Sequence, residues 1–218
     1  MFVKICGITN EEDALLAVAL GADAVGFVFA PSTRKVAVQR ARDIARRLPP
    51  EILAVGVFRD ESPERVVETV HRAGLRGAQL HGHEGPEETR WVRERVPFVM
   101  KAFAAGDPHL AEAPEHGADA VLLDAPTPGA GRVFDWTLAE DVPPGLRLVL
   151  AGGLHPGNVA DAIARVHPWG VDVASGVEAA PGRKDPRALR AFVVAARSAA
   201  GPEHRAVGAG PYDWQDDT

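Results

Sequence analysis

Short apolar runs alternate with longer stretches of helical periodicity from one end of the chain to the other. The runs are Phe2 to Cys6, Ala24 to Phe29, Leu53 to Phe58, Gly77 to His81, Phe98 to Phe103, Ala120 to Asp124, Leu146 to Ala151 and Val171 to Ser175, eight in all. Most are apolar throughout rather than alternating, which is the habit of parallel strands covered on both faces. Between them lie amphipathic segments at Glu11 to Leu20, Gln39 to Leu48, Pro63 to Ala73, Glu87 to Arg95 and Pro156 to Val166, with Pro186 to Ala199 at the end. Helices are therefore expected to connect parallel strands.

The joints repeat as well. Gly21-Ala22-Asp23-Ala24-Val25 recurs as Gly117-Ala118-Asp119-Ala120-Val121 and, loosely, as Gly170-Val171-Asp172-Val173, each glycine suiting a helix C-terminal turn before a strand. Strand starts fall roughly 24 residues apart, and eight such units fill a minimal (β/α)8 TIM barrel, an α/β fold in a single domain. An open doubly wound sheet is the alternative. Against it, the first loop, Gly7-Ile8-Thr9-Asn10, lacks the G-x-G-x-x-G of that fold, and eight evenly spaced units close more naturally than they stay open. The barrel is expected over residues 1–200. Residues 201–218, rich in Gly and Pro and ending in acid, are expected to form a loosely ordered or disordered tail.

Composition narrows the function classes. With 46% apolar and 25% charged residues the chain is ordinary for a soluble globular protein. A formal charge of -6 with scattered arginines argues against nucleic acid as a partner. No run of about 18 apolar residues and no basic, apolar leader is present, so neither a membrane span nor a signal peptide is indicated and the cytoplasm is the default. Lysine occurs only at positions 4, 35, 101 and 184.

In a barrel of this kind the loops after the strands form the catalytic face, so polar residues at strand C-termini carry functional weight. Cys6, the only cysteine, ends the first run. It is either inert filler or chemistry. Lys4 is two residues away on the same strand face, where its cation could favour the thiolate or could satisfy a core carboxylate such as Asp172. Asp124 ends the sixth run and either caps a turn or supplies an acid opposite the thiol. His81, sharing a strand face with Gln79, is either hydrogen-bonded core or pocket lining. Arg34, past the second run, could present its fork to a carboxylate. Ala151-Gly152-Gly153-Leu154 and Ser175-Gly176-Val177-Glu178 follow the seventh and eighth runs, where barrels commonly bind phosphate through backbone N–H groups. No histidine or cysteine spacing indicates a metal site.

Together, Lys4-Ile5-Cys6-Gly7-Ile8-Thr9, Gly26-Phe27-Val28-Phe29 with Ser32-Thr33-Arg34, Gln79-Leu80-His81-Gly82, Leu123-Asp124, Phe134-Asp135-Trp136, Ala151-Gly152-Gly153-Leu154 and Ser175-Gly176-Val177-Glu178 resemble the phosphoribosylanthranilate isomerases of tryptophan biosynthesis. The resemblance runs from residue 2 to about 199, with one departure at Pro128-Gly129-Ala130-Gly131, where the family usually shows Gly-Gly, then Thr or Ser, then Gly. It implies an Amadori rearrangement of N-(5-phosphoribosyl)anthranilate with Cys6 as general base and Asp124 as general acid. It further implies Arg34 on the anthranilate carboxylate, and His81, Gly152, Gly153, Asp172, Ser175 and Gly176 at the substrate, the glycines and serine around its phosphate. No cofactor is implied. The expected partner is the small phosphosugar substrate, with the chain a monomer or homodimer, and the loop from Ala125 to Arg132 is the best candidate for a lid.

Overall fold

The computed structural model describes residues 1–126 and 135–200. The tail at 201–218 and positions 127–132 of the candidate lid lie outside the described residues. Eight parallel strands run in sequence order around a closed barrel: β1 (Phe2–Ile5), β2 (Ala24–Val28), β3 (Leu53–Phe58), β4 (Gly77–Leu80), β5 (Phe98–Ala104), β6 (Ala120–Asp124), β7 (Leu148–Leu150) and β8 (Gly170–Val173). β8 closes onto β1 with Lys4 opposite Asp172. The helices are α1 (Glu11–Ala19), α2 (Val38–Ala45), α3 (Pro63–Ala73), α4 (Pro86–Arg93), α5 (Val159–Val166) and α6 (Pro186–Ala199). Among the described residues, the connections after β5 and β6 carry 3-10 turns instead, at Pro108–His116 and Trp136–Asp141. Pro114 inside the first of these has no N–H to give an α-helical ladder.

Strand parity sorts the side chains. Outward residues such as Val3, Ile5, Val25, Phe27, Ala78 and Leu80 pack under the helices. The interior is filled by Phe2, Ala24, Leu53, Val55, Phe98, Met100, Ala102, Ala120, Leu122, Val149 and Ala151. Its floor, at the strand N-termini, is therefore apolar. Toward the C-terminal mouth the inward positions turn polar, with Lys4, Gln79 and Asp172 all buried. Placing them there offsets the burial of about 1.5–3 kcal/mol that an apolar side chain would contribute at each position. Polar interior residues at one end only mark that end as the site.

Two details differ from the expected pattern. Gly21 and Gly117 do take positive φ after their helices, but Gly170 lies inside β8, and α5 is ended by His167 at φ 50°. Gly170 answers to packing, since a Cβ there would lie 2.9 Å from Cδ1 of Phe2, whose ring stacks on Trp169. α5 also starts later than the apolar pattern indicates, at Val159, because His155 to Asn158 form a turn in which the Asn158 Oδ1 accepts from the His155 N–H at 2.8 Å.

Candidate active site

Cys6 follows β1 directly, its N–H bonded to the Val173 carbonyl at 2.8 Å. It is 7% exposed at the barrel mouth. Gly26 on the neighbouring strand makes room for it. A Cβ at Gly26 would lie 2.8 Å from the Cys6 Sγ and 3.1 Å from the Lys4 Nζ, so thiol and ammonium share one small space. The Lys4 Nζ also donates to Asp172 Oδ1 at 3.0 Å, and the lysine side chain is wholly buried. Both readings of Lys4 therefore hold at once: it serves a core carboxylate and it faces the thiol.

The balance of these charges decides the resting state of the thiol. Burial pushes Cys6 up from its ordinary value, Lys4 and Lys184 pull it back, and Asp172 pushes it up again, leaving it raised. That direction favours the protonated thiol near neutral pH. Burial works against the Lys4 ammonium, but Asp172, and Cys6 whenever it is ionised, outweigh it and hold that group above its usual value.

A second charged cluster lies behind the first. Arg34 donates from Nε to Glu178 Oε1 at 2.8 Å and from Nη2 to Glu178 Oε2 at 2.7 Å, a two-point fork. Its stem lies over Gly7, where a Cβ would come within 2.6 Å of the Arg34 Cδ. Lys184 donates to the Cys6 carbonyl at 2.6 Å, to the Ala174 carbonyl at 3.0 Å and to Glu178 Oε1 at 3.1 Å. Burial alone would raise Glu178, but Arg34 and Lys184 hold it below the usual carboxylate range. Glu178 and Lys184 sit in an antiparallel pair of short strands, β9 (Glu178–Ala180) and β10 (Arg183–Lys184), laid over the mouth after β8. Sequence reasoning gave Lys184 no role. The one sequence trait it carries is the scarcity of lysine, which does not by itself point to the mouth; the structure buries Lys4, Lys101 and Lys184 at 0%, 2% and 3% exposure.

Asp124 ends β6, three strands from β1 around the closed barrel. Its Oδ1 accepts from the Ala125 N–H at 2.7 Å, and its Oδ2 lies 3.3 Å from His81 Nε2. His81 in turn has Gln79 Nε2 at 2.7 Å from its Nδ1. His81 thus lines the mouth, hydrogen-bonded at Nδ1 by Gln79 and with Nε2 within ion-pair distance of Asp124.

The two glycine loops meet. A Cβ on Gly176 would fall 1.9 Å from the Leu154 carbonyl oxygen, so the loop after β8 packs on the loop after β7 only because residue 176 has none. Gly152 does the same against β6, where a Cβ would lie 2.5 Å from the Ala125 nitrogen and 3.1 Å from Asp124 Oδ1. Gly153 follows it, its carbonyl accepting from Asn158 Nδ2 at 3.1 Å, and Ser175 opens a three-residue 3-10 turn. The structure therefore brings Cys6, Asp172, Arg34 and Glu178 to one side of the mouth and His81 and Asp124 to another, with Gly152 touching the latter. Among the described residues no group of three or more His, Cys, Asp or Glu side chains has the arrangement to hold a metal. No described helix is long and apolar enough to cross a membrane.

Comparison with known proteins places the chain in a family. Residues 3–195 match the family described as N-(5'phosphoribosyl)anthranilate (PRA) isomerase. An N-(5'-phosphoribosyl)anthranilate isomerase of Desulforudis audaxviator is 50% identical over 204 residues, 90% of this chain and 98% of that protein. Among solved structures, the phosphoribosyl anthranilate isomerase of Thermus thermophilus superposes with a TM-score of 0.84 at 44% identity, covering 91% of this chain and 99% of that one. A phosphoribosyl anthranilate isomerase in complex with reduced 1-(o-carboxyphenylamino)-1-deoxyribulose 5-phosphate gives 0.80 at 41%, with the same coverage. With a match across nearly the whole barrel and half the residues shared, the chain belongs to the N-(5'-phosphoribosyl)anthranilate isomerase family of enzymes.

Proposed function

We propose that this chain converts N-(5-phosphoribosyl)anthranilate to 1-(2-carboxyphenylamino)-1-deoxyribulose 5-phosphate, with Asp124 as general acid and Cys6 as general base. Asp124 gives a proton to the furanose ring oxygen as the C1–O bond breaks, which opens the ring to a protonated Schiff base. Cys6, as thiolate, takes the proton from C2, and the electrons of that C–H bond form the enolamine. Loss of the C2 hydroxyl proton and protonation at C1 then give the aminoketose. C1 is reduced and C2 oxidised within one molecule, so the reaction balances without an external oxidant or reductant.

The observation that carries this reading is the Cys6 Sγ sharing the Gly26 space with the Lys4 Nζ while Asp124 faces the same mouth from β6. A base whose resting balance favours the protonated thiol suits a step in which the positive Schiff base is already present. That cation, with Lys4 and Lys184, favours the thiolate when it is needed and the proton leaves to solvent. Arg34 spends its Nε and one Nη2 proton on Glu178, which leaves its Nη1 side for the anthranilate carboxylate. The touching loops at Gly152-Gly153 and Ser175-Gly176 take the phosphate through their backbone N–H groups.

The test is the fall in anthranilate fluorescence as substrate is consumed. General acid and general base contributions are each worth about 10²- to 10⁴-fold. Cys6→Ala and Asp124→Ala should each lose turnover on that scale and still bind product. A wild-type rate in either variant defeats the assignment.

A further inference from the structure

Gln79 is 1% exposed, inside the barrel, one inward position below His81 on β4. Its amide nitrogen lies 2.7 Å from His81 Nδ1. An amide nitrogen can only donate, so Nδ1 must offer its lone pair and the ring proton of a neutral His81 must sit on Nε2. That nitrogen faces Asp124 Oδ2 at 3.3 Å, while the Ala125 N–H donates to Oδ1. Asp124 Oδ1 is thus held by a backbone donor, while Oδ2 has the His81 ring 3.3 Å away, close enough for an Nε2–H to turn onto it as charge develops there. The cost falls on Gln79, whose Oε1 is buried with no partner among the described residues. The opposite amide orientation would set Oε1 on Nδ1 and demand a proton there. A neutral ring would then turn a bare Nε2 toward the carboxylate.

We propose that Gln79 is a positioning residue that fixes His81 as its Nε2–H tautomer, so that His81 stabilises the carboxylate Asp124 becomes once it has protonated the substrate. This rests on the reading of Asp124 as general acid. A hydrogen bond to a charged group that strengthens as the charge develops acts on turnover more than on substrate binding.

The experiment uses the 15N-labelled full chain without substrate at neutral pH. Two-bond 1H–15N correlations of the imidazoles report the tautomer, and His81 is assigned by the signals that vanish in His81→Asn. Where the His81 signals report a neutral ring, the wild type should carry its proton on Nε2. Gln79→Glu presents an acceptor to Nδ1, so the proton should appear on Nδ1, with kcat falling about ten- to hundredfold and KM changing less than about threefold. Gln79→Met, which merely removes the donor, should show mixed tautomers and a smaller loss of kcat, and it serves if the glutamate variant fails to fold. A neutral wild-type ring with its proton on Nδ1, or wild-type kcat in both variants, overturns the proposal. If Asp124→Asn is inactive and His81 carries Nδ1–H, only the Gln79 assignment falls. If Asp124→Asn turns over at the wild-type rate, the acid assignment falls and takes this one with it.

Discussion

Replacing Lys4 with Met separates the two jobs that the buried ammonium performs. Its Nζ is 3.0 Å from Asp172 Oδ1, with side-chain exposures of 0% and 9%. Removing one partner of a buried pair costs about 3–5 kcal/mol because the other charge is left uncompensated. The residual exposure of Asp172 at the mouth places this case near the lower figure, about 3 kcal/mol. For a chain of this size each kcal/mol moves Tm by about 2–4 °C, so Lys4→Met should melt roughly 6–12 °C lower. Lys4→Met combined with Asp172→Leu should recover most of that loss, since an apolar pair of similar volume often matches a buried ion pair. Thiol reactivity reads the second job. Lys4 lowers the Cys6 titration and Asp172 raises it, so Lys4→Met should slow alkylation by iodoacetamide near neutral pH and Asp172→Asn should accelerate it. Thermal melts and alkylation rates on the two single variants and the double variant are sufficient. A Tm change below about 2 °C in Lys4→Met refutes the energetic argument. Equal alkylation rates in all variants refute the electrostatic one.

Two further outcomes follow from groups outside that pair. His116, packed edge-on to Phe103 and bonded to Thr89 Oγ1, is pushed down from 6.5 to about 4, first by burial and then by the Lys101 cation. Between those values the unfolded chain binds a proton that the folded one refuses, so stability is complete above pH 6.5 and falls as pH drops toward 4. The loss is on the order of 2–3 kcal/mol, and His116→Gln should flatten urea-melt stability across that window; an unchanged slope would remove His116 as the cause. Glu178→Gln leaves Arg34 and Lys184 facing a neutral amide. It should raise KM for substrate about tenfold or more through a misplaced Arg34 fork, and an unaltered KM in steady-state assays would show that Glu178 does not orient that arginine.

The architecture was legible because a parallel barrel writes itself as apolar runs at regular intervals, and all eight runs became strands. Cys6, Asp124 and His81 could be placed at the mouth from strand ends alone. Arg34 could be placed there but its partner could not, because Glu178 is 144 residues away and nothing local links them. Lys184 was missed for the same reason. It sits on a two-residue strand that no periodicity marks, yet it reaches back 178 residues to the Cys6 carbonyl. Gly170 was misread because a glycine before a strand signals a helix end, whereas the space beside Phe2 sets its identity. The 3-10 connections after β5 and β6 lacked a helical pattern in the sequence, and Pro114 explains why the first of them has none.

The burial of three of the four lysines decides how the protein can be attached to a surface or a dye. Amine-reactive reagents would find Lys4, Lys101 and Lys184 shielded inside the fold. Lys35 is exposed and adjoins Arg34 in the loop at the rim of the mouth, so modification there would crowd the entrance. Coupling through lysine therefore turns the mouth toward the support, and a chemistry that spares amines is needed to leave the entrance open.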